Sequence, residues 1–240
     1  MRQVLRISRT YFRLRRGKQL EIQRQKVEVC ENQSMTSPAD ASPVHDPLAV
    51  TGPVQDLSTH RLPPNFRGRP AWFVQIWWLV QSLLFHTSPQ VFYGWRRFLL
   101  KLFGAKIGKN VMLRPSVTVT YPWKLTIGND SWVGDHVTLY TLGPIVIGRD
   151  AVVSQHSYLA AASHDYTRPS FDIYQKQITI EDEAWVAAHC FIGPGVTVGR
   201  GAVVGSCSVA FKDVPPMMVC TGNPLKVIRP RVVTDTPVQI

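Results

Sequence analysis

Residues 180–210 read IEDEAW VAAHCF IGPGVT VGRGAV VGSCSV A when written six at a time, and every group opens on an aliphatic residue. The heads are Ile180, Val186, Ile192, Val198 and Val204, with Ala210 continuing the count, and four residues after each of the five comes Ala184, Cys190, Val196, Ala202 or Ser208. Glycine directly follows three of these heads, in Ile192-Gly193, Val198-Gly199 and Val204-Gly205. Working back, the same step links Ile107, Leu113 and Val119, then Ile127, Val133 and Leu139, then Ile147, Val153 and Leu159. Two equal offsets of 20 residues separate these three sets, from 107 to 127 to 147. Neither a 3.6-residue helix nor an alternating strand has period six. A short extended stretch that points one large side chain inward, followed by a glycine-assisted turn beside a small residue, does. Three stretches close a triangular coil of about eighteen residues, and coils stack as parallel strands. Each buried head contributes roughly 1.5–3 kcal/mol, so the stack must be several coils deep to be stable.

The [LIV]-G-x-x-x-x pattern resembles that of the hexapeptide-repeat acyltransferases, and residues 69–231 are similar to the colanic acid biosynthesis acetyltransferase branch. The strings that carry the likeness are GWRRFLLKLFGAKIG, VTYPWKLTIG, DHVTLYTLGPIVIG, VSQHSYLAAASHDYTRPSFDI, AWVAAHCFIGPGVTVGRGAVVG, FKDVPP and GNPLKVIRPR. The resemblance implies an all-β solenoid, a left-handed parallel β-helix of hexapeptide repeats with a short N-terminal α-helical segment. The left hand comes from the resemblance alone, since parallel crossovers are generally right-handed. It also implies acetyl transfer from acetyl-CoA to a sugar hydroxyl in exopolysaccharide or glycan synthesis, in a homotrimer whose active sites lie between subunits.

The repeat breaks once, between Leu159 and Ile178, where a loop at 160–178 carries His164, Asp165, Tyr166 and Arg168. Acyl transfer to a hydroxyl needs a base, and an unperturbed imidazole titrates near ~6.5. The SHDY string matches the family's catalytic histidine, so His164 is the expected base, taking the hydroxyl proton while the sugar oxygen attacks the acetyl carbonyl directly, without an acyl-enzyme. The resemblance places the oxyanion donor at the Ala188 N–H and the coenzyme A contacts at Trp185, Ala188, Ser206, Phe211, Lys212, Lys226 and Arg229. Asp165 is a candidate to orient the imidazole, and Asp165, Tyr166, His136 and His156 are candidates to meet the acceptor. AAASHDY departs from the branch's commoner glycine-bearing wording, as does AHCF, which bears on acceptor shape. Cys190 falls on a small inward position and reads as packing. His136, His156 and His189 each follow a head by three residues and should stack on one face. A metal hydratase and a non-catalytic scaffold are the rival readings. A straight ladder of coils cannot bring three imidazoles to one zinc, which wants nitrogens ~2.0–2.1 Å away, and no metal is expected.

The chain has 240 residues, a net charge of +11 and four cysteines with no CxxC pair, which fits a reducing cytoplasm. Residues 1–34 hold nine basic against three acidic residues and so supply six of the eleven net charges. They read as a disordered leader, or as a stretch upstream of a start at Met35, and nucleic acid is not an expected partner. Residues 35–70 are proline-rich and are expected to form an extended, poorly ordered linker. Residues 71–104 predict two amphipathic helices, Ala71 to Phe85 and Gly94 to Gly104, with Gly104 as the left-handed terminator. Their aromatics suit a packing face, and peripheral membrane association is the other reading. The apolar run Ala71 to Phe85 is too short to span a bilayer. The β-helix is expected over 105–212, with a tail at 213–240 in which Asn223-Pro224 turns the chain out of the last coil.

Overall fold

The computed structural model describes residues 52–234, so the basic leader lies outside the described residues. From Lys106 the chain winds five coils of three short strands each. The first coil is Lys106–Ile107, Met112–Leu113 and Thr118–Val119, and the fifth is Thr197–Val198, Val203–Val204 and Val209–Ala210. Strands of successive coils pair in parallel to give three sheets. The heads stack in register, Ile107 on Ile127, Ile127 on Ile147, Ile147 on Ile180 and Ile180 on Val198. All of them are buried, as are the small partners from Val111 through Ser208. A sixth coil begins with Val214, bridged to Val198, and with Met218–Thr221, which pairs with Val203 and Val204 and then turns back as Lys226–Pro230. The turn of this last hairpin contains Asn223 and Pro224.

The corner works differently from the expected glycine turn. The residue in left-handed conformation is the one before the small inward residue: Asn110, Asp130, His136, Asp150, His156, Glu183, His189 and Cys207 all have φ between 54° and 62°. Asn and Asp tolerate this region better than most residues, and Gly195 and Gly201 occupy the same corner position elsewhere. The glycines after the heads serve close approach between coils instead. A Cβ on Gly128 would sit 2.5 Å from the Arg149 nitrogen and 2.5 Å from the Gly148 carbonyl carbon of the next coil.

Helix α1 (Ala71–Val80) runs into one π-helical turn, Gln81–Phe85, and helix α2 (Tyr93–Leu102) ends at Gly104 with φ 91°, as its sequence predicts. The pair closes the open end of the solenoid. Trp77, Phe85, Leu99 and Leu100 join the core of the coils. The first coil's unpaired carbonyls, which would otherwise form an open sheet edge, accept hydrogen bonds from the cap. Arg97 donates to Val111, the fully buried Arg96 Nε to Leu113 at 2.7 Å, His86 Nε2 to Val117 at 3.2 Å, and Trp77 Nε1 to Val119 at 2.8 Å. The Val119 N–H donates to Gln81 Oε1 at 2.7 Å. Burial lowers the Arg96 pKa, but three further acceptors around its guanidinium, Ser88 Oγ and the Pro89 and Gln90 carbonyls, keep the charge satisfied.

The coil geometry yields a paired test. Gly128→Ala forces backbone apart and should cost about 1–3 kcal/mol, whereas Asp150→Gly at a left-handed corner should stay within about 0.5 kcal/mol because strain relief offsets unfolded-chain entropy. Urea unfolding of both variants checks the contrast.

Candidate active site

The break in the repeat is an antiparallel hairpin, Ala162–His164 paired with Ile173–Gln175, which leaves the edge where the third sheet turns back to the first. Its tip, Asp165 to Asp172, is held by the Asp165 N–H on the Asp172 carbonyl and by an Arg168–Asp172 ion pair at 2.8 Å. His164 sits half-buried at the root of the tip. Its Nδ1 lies 2.8 Å from the Phe171 carbonyl, and its ring stacks on the Phe171 ring at 4.3 Å and 7°. A carbonyl only accepts, so Nδ1 carries the proton and the Nε2 lone pair is free. The loop's own backbone thus sets the tautomer a general base needs.

Asp165 does not orient this ring. Its carboxylate accepts from the Thr167 N–H at 3.0 Å and from the Thr167 hydroxyl at 2.5 Å, and those bonds hold its pKa below the ordinary carboxylate value. Tyr166 is 82% exposed and points away from the chain's own core.

The segment expected to be a poorly ordered linker is, over residues 52–70, built onto this hairpin. The Asp56 N–H donates to the Pro169 carbonyl at 2.7 Å. His60 Nδ1 donates to the Ser170 carbonyl at 3.1 Å, with its ring centroid 5.9 Å from that of His164. Trp123 Nε1 donates to the Arg67 carbonyl at 2.7 Å, and Phe66 is buried beside Tyr121 and Leu142. Lys124 ties the parts together, since its ammonium donates to the Phe66 and Leu142 carbonyls and to Gln175 Oε1 of the hairpin at 2.9 Å, and its burial lowers its pKa. The result is a cleft of about 840 Å³ between Arg61–Pro64 and the hairpin, with His164, Tyr166 and Arg168 in its wall. Sequence reading missed His60, Lys124 and Phe171; a lone Phe66 and Trp123 amid prolines and turns were the available signals.

The other expected residues fall elsewhere on the prism. Trp185 stands on the outer face of the second sheet, its Nε1 donating to Ser154 Oγ at 2.9 Å. It is the first of a row Trp185, Val203, Val219, Arg229 that runs across four paired strands. Lys226 opposes Thr221 in the same terminal pair. Ala188 and Ser206 lie on the edge between the second and third sheets, one coil apart, with the Cys207 N–H donating to the Ala188 carbonyl at 2.9 Å. The Ala188 N–H has no partner among the described residues. Phe211 and Lys212 are exposed just past Ala210, on the edge from which the hairpin leaves two coils earlier, and Phe211 packs on Phe191 at 5.5 Å. A single chain therefore holds His164 on one edge and Ala188 on another.

His136, His156 and His189 do stack, at centroid spacings of 4.9 and 4.8 Å and interplanar angles of 16° and 7°. Face-to-face rings keep their nitrogens in parallel planes, so no point lies ~2.0 Å from all three. Among the described residues no group of three or more His, Cys, Asp or Glu is arranged to hold a metal ion. Cys190 Sγ is buried 3.1 Å from the Gly205 carbonyl, and burial pushes its pKa up, which keeps it a packing thiol.

A stacked parallel prism of hexapeptides with a histidine-bearing hairpin at one edge defines the hexapeptide-repeat acyltransferase class. The same fold is found in galactoside acetyltransferase in complex with coenzyme A, with TM-score 0.63 and 24% identity over 74% of this chain and 92% of that one. A hexapeptide-repeat acetyltransferase from Vibrio cholerae has TM-score 0.63 and 23% identity over 74% and 98%. No family model matches the chain. Among curated proteins, WcaF of Escherichia coli K12, named for acetyl transfer in colanic acid biosynthesis, is 56% identical over 182 residues, 76% of this chain and 100% of its own. Galactoside O-acetyltransferase of the same organism is 31% identical over 56% of this chain and 68% of its own length. The chain belongs to the colanic acid biosynthesis acetyltransferase family.

The His60 contact gives a direct check on how the hairpin is held. In His60→Ala the amide hydrogens of Asp165 and Phe171, both bonded within the tip, should exchange faster while the circular dichroism spectrum is unchanged. Unaltered exchange would show that His60 does not brace the tip.

Proposed function

We propose that the protein is an acetyl-CoA-dependent O-acetyltransferase that modifies a sugar hydroxyl of a glycan or its precursor. The single observation that carries the mechanism is the Phe171 carbonyl on His164 Nδ1. It leaves Nε2 to take the hydroxyl proton as the sugar oxygen attacks the acetyl carbonyl. The new C–O bond forms, the C–S bond breaks, and the departing thiolate receives the proton that Nε2 holds. The Ala188 N–H serves the tetrahedral oxyanion, as a preorganised backbone donor does. The same N–H lacks a partner among the described residues at Gln155, one coil earlier on that edge, and at Ser206, one coil later, so the choice of Ala188 rests on the family resemblance.

Coenzyme A fits the row across the second sheet. Three strand spacings of ~4.8 Å separate Trp185 from Arg229, about 14 Å, which suits a pantetheine arm lying between an aromatic and the cations of Arg229 and Lys226. Phe211 and Lys212 extend the site on the hairpin's own edge. Since His164 and Ala188 occupy different edges of one prism, the reaction needs the hairpin of one chain against the second edge of another, and a side-by-side homotrimer satisfies this for every chain. Tyr166 and the edge imidazoles of His136 and His156 are then placed to meet the acceptor.

Thiol release from acetyl-CoA in the presence of a panel of sugar acceptors should fall about 10²–10⁴-fold in His164→Ala, and retention of full activity would leave a scaffold in place of an enzyme. A separate outcome concerns the cations: Lys226→Ala with Arg229→Ala should raise KM for acetyl-CoA about tenfold, a loss on the scale of one to two charge-assisted hydrogen bonds. The same pair should leave KM for acetyl-pantetheine, which lacks the nucleotide phosphates, unchanged.

A further inference from the structure

The cap presents a second face that neither the fold nor the transferase chemistry uses. On α1 and the π turn the buried residues Val74, Trp77, Gln81 and Phe85 face the coils, while Trp72, Ile76, Leu79 and Leu83 repeat at steps of four, three and four on the opposite side. These four are 63%, 43%, 59% and 57% exposed. On α2 the same division holds, with Arg96, Leu99 and Leu100 buried and Trp95, Phe98 and Leu102 exposed. Trp95 ties the stripes together, donating its Nε1 to the Leu84 carbonyl at 3.0 Å and stacking on Phe98 at 5.8 Å. Between the two elements lies an apolar groove of about 710 Å³, lined by Leu84, Phe92, Trp95 and Phe98. A soluble surface rarely keeps so continuous an apolar, tryptophan-rich band uncovered.

Charge says what covers it. No aspartate or glutamate occurs between Asp56 and Asp130, a span of 73 residues that carries ten lysines and arginines. Among these, Arg69, Lys101 and Lys106 are exposed around the helices. The helix α1 and π-turn segment itself, Ala71 to Phe85, has no charge at all. A neutral apolar stripe carrying exposed indoles, in a stretch of chain that supplies exposed cations and no carboxylate, matches the interface of an anionic bilayer, where rings enter the headgroup boundary and cations meet phosphate. The face lies at the end of the solenoid, so chains packed flank to flank leave it open and turn every cap the same way.

We propose that the outer face of this helical cap is a membrane-docking surface that seats the protein on anionic phospholipid. The proposal goes beyond the transferase reading and does not need it. No helix among the described residues is long and apolar enough to cross a membrane, so the attachment is peripheral, with the helices lying in the plane of the surface.

Co-flotation of the purified full-length protein with phosphatidylglycerol-containing vesicles and with pure phosphatidylcholine vesicles tests this. The protein should float with the anionic vesicles, bind at least tenfold less to the neutral ones, and release as salt is raised, with a blue shift of tryptophan emission on binding. Leu79→Glu with Leu83→Glu, at exposed positions, should lose vesicle binding at least tenfold while keeping the thermal transition and thiol release on a soluble acceptor. Failure of the wild-type protein to float, or equal flotation of the double variant, overturns the proposal. A drop in oligomer mass of the double variant by light scattering also overturns it, because the stripe is then a contact between copies. Since thiol release is read separately, a failed flotation with intact activity rejects the docking surface alone.

Discussion

Each coil of this protein is hydrogen-bonded to the next with almost no space between them, and that constraint governs the rest. At Gly128 and Gly148 the approach leaves no room for a Cβ, 2.5 and 2.4 Å from the neighbouring coil's atoms. The corner beside each glycine must then reverse the chain in a left-handed residue, so that the following small side chain drops inside. Bulk aliphatics fill the sheets, small residues fill the corners, and the outer faces are left free to vary. Function can therefore be mounted on edges and outer faces without disturbing the core.

A stack has two ends, and both need closing. At the start, hydrogen bonds donated by Trp77, His86, Arg96 and Arg97, and one accepted by Gln81 Oε1, satisfy the first coil's open edge while the helices bury its core. At the finish, the hairpin of Met218–Thr221 and Lys226–Pro230 pairs the last strand of the second sheet. The single internal interruption is anchored just as firmly. Lys124 joins a coil corner, the segment before the cap and the His164 hairpin through one ammonium group, and His60 fastens the hairpin tip. What surrounds His164 is a braced wall, with its tautomer set by Phe171.

Much of this was legible in the letters. The count of six placed every head inside, Gly104 ended its helix, and the interruption marked the hairpin with His164. The same count puts Trp185 and Val203 eighteen residues apart and hence on neighbouring strands. What escaped reading rests on isolated long-range bonds that leave no period. Residues 52–70 have the composition of a linker, and they are ordered by single contacts such as Asp56 to Pro169 and Arg67 to Trp123, which no local pattern announces. The sequence left Asp165 open between orienting the imidazole and standing as a loop carboxylate, and in the structure Thr167, two residues along, takes its hydrogen bonds, as local Asx turns capture carboxylates readily. The amphipathic helices were read for one apolar face, whereas the structure has two, one spent on the coils and one outward.

The central claim is that His164 of one chain and the Ala188–Trp185 edge of another form a single reaction centre. A crystal structure of the protein with coenzyme A tests it most directly. The account predicts the coenzyme sulfur beside the Ala188 N–H, within hydrogen-bonding reach of His164 Nε2 from a neighbouring chain, with the nucleotide end toward Lys226 and Arg229. A sulfur that lies against His164 with only its own chain's residues around it, or a His164 ring turned so that Nε2 faces the Phe171 carbonyl, would contradict the account.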